Sequence, residues 1–564
     1  MKLFPYYTLL PNFLKLKLLI IIFIIFLTTF TEILSIALLI PLLTIMFSGS
    51  LNIEFLNINN ISIEFNSIII FIIIAYTLKL IFLTYSSYYQ QDFLRLFKNT
   101  ISKKLLKYFL TKPYPFFIKN HSTRLIQDLN DIGLMTKYSA SEITFISELL
   151  ILATLTIFLF IYDPYLTITA LLFLFCVSIL IHFFIYKKSL YLGSQRLLND
   201  RNKLKNLKEG FDGIKEIKLF SLENFFYYKF KILIERGSSL DLLHQFIMSL
   251  PRLIIEYLLI IVIIAAIISI NIFSSNFYDY IPILTVFIVA SLRIAPSLIK
   301  IVSARQHIAF NYAVIKNTIK RSFLKSSVNI KNINLKKNKN LIFKKNIIIK
   351  NLDFSYNGAS KKTLNKLNLT IKKNSLVGIY GSSGSGKTTL ISLIMGLLSP
   401  DKGNILVDNI DIQSKIKSWQ NIIAYVPQKI FLVDDTIENN IALGEEENII
   451  DKKKLKISAK KSGLDLDTMF YKGGKTMVGE SGVRLSSGQI QRIGIARALY
   501  KNSEILILDE FTSSLDKKNE EKIMRTIIDL KKTHTIIMIS HNSELVKLCD
   551  KKIYISSKKA IITK

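Results

Sequence analysis

Apolar residues are not spread evenly along this chain. They gather into long runs through the N-terminal half, then give way to short alternating segments. An apolar stretch of roughly 18 or more residues can cross a bilayer as a helix. Six candidate runs are present: about Leu18 to Met46, Ser67 to Tyr85, Ile146 to Ile161, Leu166 to Ile185, Leu253 to Ile272 and Tyr280 to Val302. The third is the shortest, and only Tyr162-Asp163-Pro164-Tyr165 separates it from the fourth, which predicts a tight hairpin on one side of a membrane. The first run is too long for a removable signal peptide and lacks a cleavage site. Between the spans, segments such as Asp92–Leu110 and Leu197–Leu219 keep helical periodicity with few breakers, so the membrane helices are expected to continue well into the aqueous phase. Each of these connections carries an aromatic-rich turn, Pro113-Tyr114-Pro115-Phe116-Phe117 or Phe220-Ser221-Leu222-Glu223-Asn224-Phe225-Phe226. Two readings stand for them: a local hydrophobic staple, or a short helix that docks into a second domain, which their placement favours.

Charge sharpens this picture. The chain has a formal net charge of +33 with half of its residues hydrophobic, and a positive mean hydropathy of +0.36. Those properties coexist only if basic and apolar residues are segregated. Phe47 to Asn66, the third-to-fourth turn and Asn271 to Asp279 hold no Lys or Arg. Arg95, Lys98, Lys103, Lys104 and Lys107 crowd one of the other connections, and Lys187, Lys188, Arg196, Arg201 and Lys203 the other. Basic loops stay cytosolic, so both termini are expected in the cytosol. Modules that stack bases or read grooves are absent, so the basic excess is not read as nucleic-acid binding. Cys176 and Cys549 lie too far apart in sequence and context to suggest a disulfide framework or thiolate metal site.

Past Phe323 the pattern changes. Ser326 to Lys345 reads as a Lys/Asn-rich linker, and from Asn346 short β-branched strands alternate with helices, as in a mixed α/β domain. The expected division is 1–322 for an all-α six-helix membrane domain, 323–345 for a linker and 346–564 for an α/β nucleotide-binding domain. Gly381-Ser382-Ser383-Gly384-Ser385-Gly386-Lys387-Thr388, continuing into Thr389, matches a phosphate-binding loop. An apolar strand precedes it and a helix follows. Glycines let backbone N–H groups wrap the phosphates, and the helix N-terminus favours negative charge. Lys387 reaches the β- and γ-phosphates, and Thr388 offers a hydroxyl to Mg2+. Ile505 to Leu508 form an apolar strand ending in Asp509-Glu510. Asp509 is placed to hold the metal, and Glu510 to orient or deprotonate the attacking water.

Between these lies Leu485-Ser486-Ser487-Gly488-Gln489, which resembles the signature of the ATP-binding-cassette superfamily, normally Leu-Ser-Gly-Gly-Gln. Other elements resemble that family in order. Tyr356 resembles the aromatic that stacks on adenine. Gln428, after Val426-Pro427, resembles the glutamine that contacts metal and water. Thr476 to Gly482 resembles an exporter-specific segment, Ser513-Ser514-Leu515-Asp516 the loop that communicates across a dimer, and His541 the histidine on the γ-phosphate. The resemblance covers about Asn346 to Ile555. It implies ATP and Mg2+ as ligands and an ATPase-coupled exporter of the type IV fold in a bacterial inner membrane. It also implies that ATP is sandwiched between one cassette's phosphate loop and another's signature. One chain carries one cassette, so a homodimer with twelve spans is expected, with a heterodimer as the alternative. Ser487 stands where the family has its first signature glycine, and hydrolysis is expected to survive that change.

The cargo is less clearly written. Ionisable residues inside spans are functional suspects: Glu32, Lys79, Arg252 and Arg293. Lys79, Arg252 and Arg293 suit an anionic cargo such as a pyrophosphate. The competing readings are that Arg252 pairs with Glu256 or snorkels, and that Glu32 neutralises Lys79. Thr31 to Ala37 with Ile40-Pro41, Leu250 to Glu256 and Leu292 to Ser297 resemble the PglK-type flippases of lipid-linked oligosaccharides, in which basic cavity residues meet a lipid pyrophosphate. The first external loop departs from that family, reading as extended rather than helical. The alternative is a generic exporter of lipids, drugs or lipopolysaccharide precursors. An ATP-gated channel is disfavoured by the intact Glu510, and a soluble ATPase by the six spans.

Overall fold

The computed structural model describes residues 4–7, 10–38, 65–162, 164–273, 281–322, 341–356, 358, 361–512, 516–556 and 559–563. The external loop 47–64, Ile40-Pro41, the fifth-to-sixth loop 274–279, the linker to 340 and Ser513 to Leu515 lie outside the described residues. The chain divides into two compact units, Met1–Lys112 with Phe116–Ile330, and Pro113–Pro115 with Lys331–Lys564.

The first unit is helical. Its long helices are α1 (Asn12–Ala37), α2 (Phe65–Leu110), α3 (Ile132–Tyr162), α4 (Pro164–Asp212), α5 (Glu223–Phe273) and α6 (Ile281–Ser322). Each carries one of the six apolar runs, α1 its part from Leu18 to Ala37 and α6 its part from Ile281 onward, among the described residues. Several continue far beyond it, α2 through the whole of Asp92–Leu110. Among the described residues, Asn12–Ser35, Ile69–Leu110, Ser122–Ile161 and Glu223–Ile261 are long and apolar enough to cross a membrane. Pro251 sits inside α5 and Pro296 inside α6. A proline is tolerated within an apolar helical bundle where neighbours satisfy the freed carbonyl. The polar parts of these helices pack through a core of Tyr6, Leu14, Phe93, Phe97, Ile101, Met135, Tyr138 and Ile308, all under 4 % exposed.

The two aromatic turns resolve differently. Tyr114–Lys119 is a short helix, as expected of the first. At the second, the short helix is Ile214–Leu219, just ahead of the aromatics, while Glu223 to Phe226 open α5. Gly213 ends α4, and the acidic Glu223 suits the positive end of the helix dipole in α5's first turn.

The second unit holds two sheets. Strands β1 (Asn346–Phe354), β2 (Leu364–Lys372), β4 (Lys402–Val407) and β5 (Ile410–Asp411) form an antiparallel sheet in the order β2-β1-β4-β5. The other sheet uses β3 (Leu376–Gly381), β6 (Ile423–Val426), β7 (Ile505–Asp509), β8 (Thr535–Ile539), β9 (Lys551–Ser556) and β10 (Lys559–Thr563) in the order β10-β9-β3-β8-β7-β6. Five of these strands are parallel, and only β10 is antiparallel to its neighbour. Every residue of β7 and β8 is buried, which explains their unbroken apolar sequences: a parallel strand covered on both faces has no polar alternation.

Candidate functional site

In an open parallel sheet, ligands bind beyond the carboxyl ends of the strands. Pairing registers place Ile379 of β3 opposite Ile539 of β8, Asp509 of β7 opposite Ile539, and Val426 of β6 opposite Leu508. The phosphate loop after β3, Gln428 after β6, Asp509-Glu510 at the end of β7 and His541 after β8 therefore emerge along one edge. Four segments separated by up to 160 residues become neighbours because their strands are parallel and in step.

The phosphate loop runs from Gly381 into helix α7 (Lys387–Ile394). Gly384 and Gly386 have φ of +75° and +102°, a region that side chains with a Cβ avoid. A Cβ at Gly381 would lie 2.4 Å from the Ile555 carbonyl oxygen. The loop is thus bent in a way that glycine permits. Gly386 caps α7 without any side-chain hydrogen bond, leaving its amide end open for an anion. Lys387 is buried, and its ammonium donates to the carbonyls of Gly381 and Ser382 at 2.9 and 3.0 Å. Burial lowers the Lys387 pKa, while Glu510 and Asp509 oppose that shift. Ser382, Ser383 and Thr388 are exposed, whereas Ser385 and Thr389 are buried. Tyr356 lies nearby, with its hydroxyl 3.2 Å from the Thr389 hydroxyl and its ring edge-on to Phe354.

The carboxylates are held by neighbours. Gln428 donates to Glu510 Oε2 at 2.6 Å, and His541 Nε2 lies 3.0 Å from Glu510 Oε1. Three residues read separately from the sequence thus form one hydrogen-bonded cluster. The Glu510 backbone has φ +47°, a left-handed conformation rare in non-glycine residues. Strain of that kind clusters at functional sites. Burial raises the Asp509 carboxyl above its ordinary range, and a hydrogen bond from Tyr425, 3.2 Å away, opposes the rise. Sequence reading missed Tyr425, because its link to Asp509 appears only when β6 pairs with β7.

Thr388, Asp509 and Gln428 offer a hydroxyl, a carboxylate and an amide oxygen, a hard-oxygen set suited to Mg2+. No group of three His, Cys, Asp or Glu capable of holding a metal exists among the described residues.

The signature opens helix α8 (Ser487–Tyr500). Ser486 accepts from the Gln489 backbone N–H at 3.2 Å while Gln489 Oε1 accepts from the Ser486 N–H at 2.9 Å, a reciprocal capping box. Both side chains are thereby engaged in fixing the helix start. With Ser487, Gly488, Arg492, Met469 and Asp516 they line a pocket of about 420 Å³. Asp516 accepts from Asn519, which lowers its pKa.

In the helical unit, Lys79 and Arg293 converge on one carboxylate. Arg293 Nη2 donates to Glu32 Oε2 at 2.8 Å and Lys79 Nζ lies 3.3 Å from Glu32 Oε1. The cluster extends through Ser297 to Glu148, whose Oε1 accepts from Lys300 at 2.7 Å. Four helices, α1, α2, α3 and α6, contribute to it. Glu148 and Lys300 were not singled out from sequence, since each sits near the end of an apolar run and looks like an interfacial charge. Arg252 is not brought to this cluster. It is exposed and pairs with Glu256 one turn on, at 2.8 Å, the plainer of its two expected arrangements.

The chain matches the ABC transporter family over residues 364–513 and the ABC transporter transmembrane region over residues 18–293. It is 39 % identical over 206 residues to an ATP-dependent lipid A-core flippase of Wigglesworthia glossinidia brevipalpis, covering 36 % of this chain and 35 % of that protein. It is 37 % identical over 203 residues to an ATP-dependent lipid A-core flippase of Pseudomonas fluorescens (strain Pf0-1), covering 36 % and 34 %. The chain thus spans about a third of the length of the curated relatives it matches. A solved structure of a bacterial Atm1-family ABC exporter with ATP bound superposes with a TM-score of 0.79 over 98 % of this chain and 95 % of the other. Its 18 % identity makes that a likeness of fold. With an ABC transporter transmembrane region and an ABC transporter cassette joined on one polypeptide, in the fold of that solved exporter, the protein belongs to the ABC transporter family.

Proposed function

We propose that this half-transporter is an ATP-hydrolysing lipid exporter of the bacterial inner membrane, acting as a homodimer on an amphipathic lipid with an anionic headgroup. The observation that carries the cargo reading is the Lys79–Glu32–Arg293–Glu148–Lys300 cluster within apolar helices. Charges in such a setting are costly and mark transport pathways. Three cations against two carboxylates leave one positive charge. The names of the two flippase relatives support a lipid, and the PglK-type resemblance supports a lipid-linked oligosaccharide as its finer version. The basic connections favour cytosolic termini and a cytosolic cassette.

In this reading Tyr356 stacks on adenine, and Lys387 with the α7 amides binds the β- and γ-phosphates. Thr388, Asp509 and Gln428 hold Mg2+, which when bound neutralises phosphate charge. Glu510, steadied by Gln428 and His541, takes the proton of the attacking water. The Ser486 to Gln489 segment and Asp516 of one copy close over the nucleotide held by the other. Closure favours an outward-facing cavity and hydrolysis resets it, a ligand-driven population shift.

The test is ATP hydrolysis by the protein in liposomes, with and without a phosphorylated glycolipid or a lipid-linked oligosaccharide, beside Glu510→Gln. Removing Arg293 alone would leave Lys79 as the one remaining partner of the buried Glu32 charge and lower the charge of the cluster, so the cargo variant is the pair Glu32→Gln with Arg293→Gln. Stimulation by one anionic lipid, lost in the paired variant while basal hydrolysis persists, is the expected result and identifies the headgroup. Stimulation by neutral amphiphiles alone would replace the anionic cargo with the generic exporter. Hydrolysis no faster than in Glu510→Gln would overturn the ATP-driven reading itself.

A further inference from the structure

The strand β6 reaches both carboxylates at the end of β7. Pairing places Tyr425 opposite Ile507 and Val426 opposite Leu508. In that register the Tyr425 hydroxyl donates to Asp509 Oδ2 at 3.2 Å. Three residues later, Gln428 donates to Glu510 Oε2 at 2.6 Å. The consecutive acids at and just past the end of β7 are thus each met by a donor from β6 or the segment that follows it. Asp509 is 6 % exposed, so few alternatives compete for the bond.

We propose that Tyr425 is a positioning residue for the metal-binding carboxylate: its hydroxyl fixes the rotation of the Asp509 side chain, whose other oxygen would hold the cation. This rests on the reading that Asp509 holds Mg2+. Groups that orient a metal ligand without touching the metal change its affinity by about 10- to 100-fold when removed. A phenol is well suited to the task. It supplies one donor on a rigid ring, and the β6 backbone sets the ring's position.

The experiment uses the full-length protein in nanodiscs with Mn2+ as the probe, read by electron paramagnetic resonance in the presence of ADP. Nucleotide affinity in EDTA is measured beside it. Tyr425→Phe is expected to weaken Mn2+ binding about tenfold and to leave metal-free nucleotide affinity within about twofold. In an Asp509→Asn background the same substitution is expected to add nothing, since a residue that acts through Asp509 has no target once that carboxylate is gone. Mn2+ affinity equal to wild type in Tyr425→Phe overturns the proposal. So does a parallel loss of metal-free nucleotide binding, which would mark a loosened site rather than a lost orientation. If Asp509→Asn binds Mn2+ as tightly as wild type, the metal assignment fails first and takes the proposal with it.

Discussion

The hydroxyls of Tyr356 and Thr389 meet at 3.2 Å, joining an aromatic ahead of β2 to the second threonine of the phosphate loop. The bond restrains a ring that is 40 % exposed. If that ring stacks on adenine, losing the bond costs orientation and leaves the chemistry intact. A typical hydrogen bond contributes about 1 kcal/mol, or roughly fivefold in an equilibrium. Thr389→Val is expected to raise KM for ATP by about that factor with kcat nearly unchanged, and Thr389→Ser to restore it. Steady-state kinetics decide, and an unchanged KM removes the restraint from the account. At this scale the sequence was most legible where residues act within a motif. Glycines, Lys387 and Thr388 are local in the chain, so their spacing suffices. Tyr425, Glu148 and Lys300 were not legible, because each gains meaning only from a partner on another element. The cations Lys79 and Arg293 were named as suspects, but only the packing of α1 against α2 and α6 shows that they share Glu32.

Helix positions followed from apolar run length, and helix ends did not. The run Leu253 to Ile272 marks the apolar part of α5, yet the helix begins at Glu223, thirty residues earlier. Apolarity reports the bilayer; only the backbone hydrogen bonds report the helix. Close packing is equally silent in the sequence. A Cβ built on Gly193 of α4 would lie 1.9 Å from the carbonyl oxygen of Phe310 in α6, with the Phe310 carbonyl carbon at 2.7 Å. Backbone cannot yield as a flexible side chain does. Gly193→Ala is therefore expected to destabilise the helical unit by about 1–3 kcal/mol, seen as a lowered Tm. Gly133 of α3, where nothing lies within 4 Å of the added carbon, is the control. Gly133→Ala is expected to leave Tm unchanged or raise it, since alanine is favoured in helices by about 1 kcal/mol. Equal effects at the two sites would mean that helix propensity, not the α4–α6 approach, governs both.

For the whole molecule, the phosphate loop and the signature pocket are proposed to act on nucleotide only across two copies. That can be tested by mixing chains. Lys387→Ala damages the phosphate loop and Gly488→Asp the signature, so each variant alone is expected to be inactive. Co-expressed, the mixed dimer holds one composite site with an intact loop from one chain and an intact signature from the other. Recovery of hydrolysis in the mixture is the expected outcome, and its absence at every mixing ratio would count against paired cassettes.

The sequence by itself determined the membrane character, where long helices run among the described residues, the presence of a cassette and the spacing of its motifs. Each of these rests on local quantities: run length, spacing and the chemistry of a short segment. Tertiary structure decided which motifs meet, because only the parallel register of β3, β8, β7 and β6 brings their ends to one edge. It also decided which charges are compensated. Arg252 finds Glu256 one helical turn away, a pairing the sequence can suggest. Glu32 and Arg293 are 261 positions apart and meet because apolar helices pack side by side. In that low-dielectric interior a charge gains far more from a partner than it would in water.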